Sequence, residues 1–82
     1  MRLPRNVSGD DLITWLAKVG YVPTRTTGSH VRLTRKSKQG EHHMTVPLHK
    51  SIRVGTLNRI FSDVAAHLKL SKQDLFKKLL EE

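Results

Sequence analysis

His30 and Arg32 stand two residues apart in the stretch Thr27-Gly28-Ser29-His30-Val31-Arg32-Leu33-Thr34-Arg35, and their types fit one chemistry. An imidazole exchanges protons near neutral pH. A guanidinium is a planar fork for phosphate oxygens. On extended chain alternate residues share a face, so His30, Arg32 and Thr34 point one way and Val31 and Leu33 the other. A sheet covered on one side only takes Val31 and Leu33 into its core and leaves His30 and Arg32 together in solvent. A base beside a phosphate-binding cation suits work on RNA, which carries its own nucleophile in the 2′-hydroxyl. By spacing alone a solvated strand histidine reads the same way, so the rest of the chain has to carry the distinction.

Cleavage of RNA without a metal needs cations on the phosphate and an acid for the leaving 5′-oxygen. Ser29, Arg32, Arg35, Lys36, Lys50 and Arg53 are the candidate RNA contacts. His43 and His49 are candidates for the second proton transfer. The adjacent His42 and His43 point to opposite faces of a strand and do not share one ion. No carboxylate pair suits two-metal chemistry, so neither a metal nor a cofactor is expected.

Charge supports a polyanionic partner. The formal net charge is +8, from 15 Lys and Arg against 7 Asp and Glu. Arg25, Arg32, Arg35, Lys36, Lys38, Lys50, Arg53 and Arg59 fill the middle of the chain, where Glu41 is the single acid. Asp10, Asp11, Asp74, Glu81 and Glu82 sit towards the ends. Such a field fits nucleic acid. A membrane surface fits less well, because the basic segment reads as strands and loops rather than as an amphipathic helix. No apolar run is long enough to span a bilayer. Met1-Arg2-Leu3-Pro4-Arg5 has charge but no apolar stretch behind it, so no signal peptide is expected. The absence of cysteine agrees with a reducing compartment, and a cytoplasmic location is expected.

The elements that must position these residues follow from periodicity and punctuation. Ser8 reads as an N-cap with Asp11 at its third position, and Val7 and Leu12 as the staple around it. Leu12, Ile13, Leu16, Ala17 and Val19 mark a buried stripe with Trp15 at its border, and Gly20 closes the helix. Tyr21–Thr26 reads as a first strand that Pro23 confines to an edge or a bulge. Trp15 and Tyr21 are read as packing helix onto sheet rather than as platforms for bases. Ser29–Arg35 is the second strand, Lys36–Gly40 a polar hairpin loop and Glu41–Pro47 the third strand. Met44 and Val46 face the core, His43 and Thr45 the open side, and His42 is half exposed at the strand mouth. Leu48–Arg53 is a basic loop before a helix that starts near Val54. Leu57, Ile60, Phe61, Val64 and Leu68 form its buried stripe, and His67 and Lys69 complement its negative end. Ser71 caps a last short helix, with Asp74 at its third position and Leu75, Phe76, Leu79 and Leu80 packing inward.

This order predicts an α+β fold, one domain over residues 1–82, with α-β-β-β-α(-α) order. Its three-stranded antiparallel sheet is covered by helices on one face, a double-stranded-RNA-binding-like layout. Against a ribonuclease stand a non-catalytic RNA-binding module and a DNA-binding or interaction domain. The open face lacks the aromatic pairs that stack single-stranded bases, and no recognition-helix motif is visible.

Gly28-Ser29-His30, Thr45-Val46-Pro47-Leu48-His49, Gly55-Thr56-Leu57 with Ile60, and Ser71 through Leu75-Phe76 resemble, in that order, the HicA or YcfA-like family. The resemblance runs from Leu12 to Leu80. Val31 stands where the family often has a second histidine, and Val54 where it often has proline. The resemblance implies a toxin that acts as an mRNA interferase, with His30 as the catalytic histidine. It implies mRNA as substrate and a HicB-type antitoxin as protein partner.

Overall fold

The structure, a computed structural model, describes residues 3–80. The basic start Met1-Arg2 and the acidic end Glu81-Glu82 lie outside the described residues. Helix α1 (Gly9–Ala17) opens with a capping box. The Ser8 hydroxyl accepts from the Asp11 N–H at 3.0 Å, and the Asp11 carboxylate accepts from the Ser8 N–H at 3.1 Å. Val7 and Leu12 are both buried beside this cap. The chain leaves α1 through Gly20 at φ +96°. There the Tyr21 N–H bonds back to the Leu16 carbonyl and the Gly20 N–H to that of Ala17, the pairing of a left-handed helix stop. Ala17, expected on the buried stripe, is exposed. At 3.6 residues per turn it lies about 120° around the helix from the Leu12–Leu16 line.

Strands β1 (Val22–Thr27), β2 (His30–Ser37) and β3 (Gly40–Pro47) form an antiparallel sheet in the order β1-β2-β3. Gly28 and Ser29 make the first hairpin turn between the paired Thr27 and His30. Gly28 has φ +57° and Ser29 is not left-handed, as a type II′ turn requires. The second hairpin is tighter than expected. Lys36 pairs with Glu41 and Ser37 with Gly40, which leaves Lys38 and Gln39 as the turn. The Ser37 hydroxyl explains this, since it accepts from the Gln39 N–H and donates to the Gly40 carbonyl.

Helices α2 (Val54–Leu68) and α3 (Lys72–Leu80) complete the chain. Leu12 and Leu16 of α1, Leu57, Ile60, Phe61 and Val64 of α2, and Leu75 and Leu79 of α3 are buried. They form one hydrophobic cluster with Val31, Leu33, Met44 and Val46 from one face of β2 and β3, and with Tyr21. Trp15 packs partly buried against it. The helices do not shelter β1, all of whose residues are exposed. No helix among the described residues is long and apolar enough to cross a membrane.

Candidate nucleic-acid interface

The register of β2 sets the frame. His30, Arg32 and Thr34 alternate with the buried Val31 and Leu33. Arg32 lies opposite Thr45 on β3, and Thr34 lies opposite His43. The open face therefore carries His30, Arg32, His43 and Thr45 in successive rows.

Strand β1 adds a residue to this face through an irregularity. Val22 pairs with Thr34 and Pro23 with Leu33, yet Arg25 rather than Thr24 pairs with Arg32, because the register shifts between Pro23 and Arg25. In unbroken pairing Thr24 would face Arg32, and Arg25 would face Val31 on the core side. The extra residue is Thr24, and the bulge turns Arg25 onto the open face. Two guanidinium groups thus stand on directly paired residues, an arrangement that costs stability where nothing negative lies between them. A shallow concavity of about 210 Å3 lies here, lined by Arg25, Thr27, His30, Arg32 and Thr45. The sequence signal for Arg25 was Pro23, which marked a bulge. Which residue the bulge would turn outward depended on the register fixed by the Gly28 turn.

Thr34, expected on the open face, is there by parity but is only 4% exposed. Thr24 and His43 cover it. Their side chains form a line in which Thr24 Oγ1 is 2.8 Å from Thr34 Oγ1, and Thr34 Oγ1 is 2.9 Å from His43 Nδ1. His43 Nε2 lies 3.4 Å from the Glu41 carboxylate. The buried Thr34 hydroxyl is thus satisfied by Thr24 and His43. Thr34, the partner of His43, is four steps along β2 from His30, about 13 Å at strand rise.

His49 follows the far end of β3, two residues past Pro47, and does not line the concavity. The Leu48 N–H bonds to the Ser29 carbonyl at 2.6 Å, and the His49 carbonyl accepts from the Gly9 N–H at 3.0 Å. These bonds fix His49 and Lys50 just past Pro47, the strand partner of His30. Gly9 carries no signal in the sequence pattern, yet it decides this placement. A Cβ placed there would collide with the Pro47 carbonyl oxygen and Leu48 Cα, so glycine alone lets α1 approach this segment. Arg53 is exposed and precedes α2 without a side-chain cap bond. Lys36 lies near the second hairpin, 3.9 Å from Glu41 in an exposed ion pair.

Arg35 is not part of the open face. It alternates with Thr34, turns to the helical side and donates from Nε to the Val19 carbonyl at 2.8 Å. There it meets a second group of polar rings. His42 and His67 stack with centroids 4.4 Å apart. The Tyr21 hydroxyl lies 2.6 Å from His42 Nδ1. Burial raises the Tyr21 pKa, Arg35 partly offsets that, and Asp63 adds to it. The phenol thus keeps its proton and shares a hydrogen bond with His42 Nδ1. Burial also lowers the His42 pKa; His67 lowers it further, Asp63 opposes and His43 adds a smaller lowering.

A larger hollow of about 1070 Å3, lined by Leu3, Val54 and Phe76 among others, contains none of the predicted site residues. Among the described residues, no three His, Asp or Glu side chains converge as metal ligands. A family model described as the HicA toxin of bacterial toxin–antitoxin matches residues 9–70, from the start of α1 to the turn before α3. No curated protein matches the chain, and neither does a solved structure.

Proposed function

The chain belongs to the HicA family of toxins from bacterial toxin–antitoxin systems, and on that premise we propose that it is a metal-independent endoribonuclease acting on mRNA. The observation that carries this reading is the concavity in which His30 shares an open sheet face with Arg25 and Arg32. His30 takes the proton from the RNA 2′-hydroxyl as that oxygen attacks phosphorus. Arg25 and Arg32 hold the phosphate oxygens on which charge grows. The bond to the 5′-oxygen breaks and leaves a 2′,3′-cyclic phosphate. His49 supplies the proton to the leaving oxygen. The bond from the Leu48 N–H to the Ser29 carbonyl supports that choice by holding its segment beside the His30 end of β2, whereas about 13 Å of strand separates the row of His43 from His30. Ser29, Lys50 and Arg53 flank the RNA at this end. The family also supports a cytoplasmic protein held inactive by a HicB-type antitoxin. The basic open face favours an acidic partner surface that covers His30 and Arg32.

The test is cleavage of a structured RNA in EDTA by the parent, His30→Ala and Leu33→Ala, beside their thermal melting. His30 is exposed, so its truncation leaves stability within about 0.5 kcal/mol. It removes a base worth about 10²–10⁴ in rate. Leu33 is fully buried, and its truncation costs about 2–5 kcal/mol, with activity lost through unfolding. A His30→Ala protein that melts like the parent and still cuts at the parent rate overturns the assignment. Added antitoxin should protect the RNA.

A further inference from the structure

A second hollow, of about 300 Å3, opens on the opposite end of the molecule, between the β2–β3 turn and the last turn of α2. Arg35, Ser37, Lys38, His67 and Lys69 line it. It lies apart from the His30 site, since Arg35 is five residues along β2, about 17 Å, and points to the other face. Three features favour an oxyanion there. The first is pre-orientation. Nε of Arg35 is bonded to the Val19 carbonyl, and one terminal nitrogen lies 3.4 Å from His67 Nε2. This holds the guanidinium fork in place with donors to spare.

The second feature is a set of cations without ion-pair partners, although the Asp63 charge reaches the neighbouring Tyr21 and His42. Among the described residues, the carboxylate ion pairs are those of Glu41 with Lys36 and with His43, and none reaches Arg35, Lys38 or Lys69. The third is backbone strain at a charged residue. Lys69 closes α2 in the left-handed region at φ +58°. Glycine or asparagine is the ordinary occupant of such a position. A lysine there forgoes that ease, and Lys69 is among the residues that line the hollow.

From these we infer that the hollow formed by Arg35, Lys38, His67 and Lys69 is a second phosphate subsite, which holds a backbone phosphate of the RNA away from the step cut at His30. The assignment of the phosphate to RNA rests on the ribonuclease reading; the anion chemistry of the hollow does not. Lys38 comes from the tight turn, Lys69 from the end of α2 and the fixed Arg35 fork from β2, so three elements bring the cations to one hollow. The subsite tethers long substrates and plays no part in bond breaking.

The experiment measures RNA binding on the His30→Ala background, so that no cleavage interferes. Lys38→Gln/Lys69→Gly removes two cations and replaces the strained lysine by the residue its backbone prefers, so melting should not fall. With a single-stranded RNA long enough to reach both ends, the slope of log K against log salt should flatten by about 0.7 for each phosphate that the variant no longer neutralises. With an RNA trimmed to the His30 end it should not change. Sulfate should shift the NMR signals of Arg35 Nε–H and the His67 ring in the parent and not in the double variant. An unchanged slope on long RNA in a folded variant overturns the inference. So does a sulfate response without any change on RNA, which marks a site for free oxyanions, or a loss confined to antitoxin binding, which marks a protein contact. If the parent cuts no RNA in EDTA but the slope still changes, the ribonuclease reading fails and the phosphate subsite stands.

Discussion

At the scale of single residues, the most informative side chain is Arg25. It pairs directly with Arg32 across the strands. Like charges in such a pair cost roughly 0.2–1 kcal/mol, so Arg25→Ala should leave the protein as stable as the parent or slightly more so. Its loss should nonetheless lower kcat/KM for RNA about tenfold or more, since a charge-assisted hydrogen bond contributes roughly 1.5–3 kcal/mol. Opposite signs for stability and activity distinguish a phosphate ligand from a structural arginine. A variant that loses both together, in melting and in cleavage, would make Arg25 structural. His42 gives a second prediction. Its pKa is lowered in the fold, mainly by burial, so the folded protein prefers the neutral ring. As pH falls through about 6.5 the unfolded chain takes up the proton first. The stability that this site contributes is therefore complete above that pH and is lost as pH falls towards the lowered folded value. Melting followed from pH 7.5 to 5 should show this loss, with less of it in His42→Gln. A ring-proton NMR midpoint at or above 6.5 would contradict it.

At the scale of elements, two local features place the site. The bulge at Thr24 chooses which face β1 gives to Arg25. Gly9 chooses where the segment carrying His49 and Lys50 lies. Helix propensity alone says that Gly9→Ala should stabilise α1 by up to about 1 kcal/mol. The packing says the opposite, because the new Cβ meets the backbone of Pro47 and Leu48, and backbone gives way less readily than a flexible side chain. Overpacking of this kind costs roughly 1–3 kcal/mol. The variant should melt lower than the parent. It should also lose RNA cleavage beyond its unfolded fraction at the assay temperature, because the His49 segment shifts. A higher melting temperature with full activity would show that α1 does not position that segment.

At the scale of the whole molecule, charge decides how substrate is met. With a net charge of +8 and its cations in the middle of the chain, RNA affinity should be dominated by release of counterions. It should fall about tenfold or more between roughly 50 and 200 mM salt. Filter binding with His30→Ala would measure this without cleavage. A flat dependence would mean that base contacts rather than phosphates hold the RNA. The same field would quicken encounter with any partner that offers an acidic surface.

Much of this molecule could be read from the chain itself. The capping box at Ser8 and Asp11, the stop at Gly20, the turn at Gly28, and the alternation of His30 and Arg32 with Val31 and Leu33 are all local signals. Each acts over a few residues, through one side chain or one backbone angle, so sequence alone carries it. The order of elements and the one-sided sheet followed from those signals, as did the open-face positions of His30 and Arg32. Tertiary structure decided what depends on two distant segments at once. The register between β1 and β2 turned Arg25 outward, because a bulge moves every residue on one side of it by one step. Thr34 has open-face parity yet is buried, because Thr24 and His43 arrive from neighbouring strands to cover it. Strand parity already turns Arg35 away from His30 and Arg32, but its anchor is tertiary, because the Val19 carbonyl that fixes it comes from the turn after α1. The approach of α1 to Pro47 through Gly9 is likewise invisible in the sequence, since glycine is silent about what lies against it until the chain has folded.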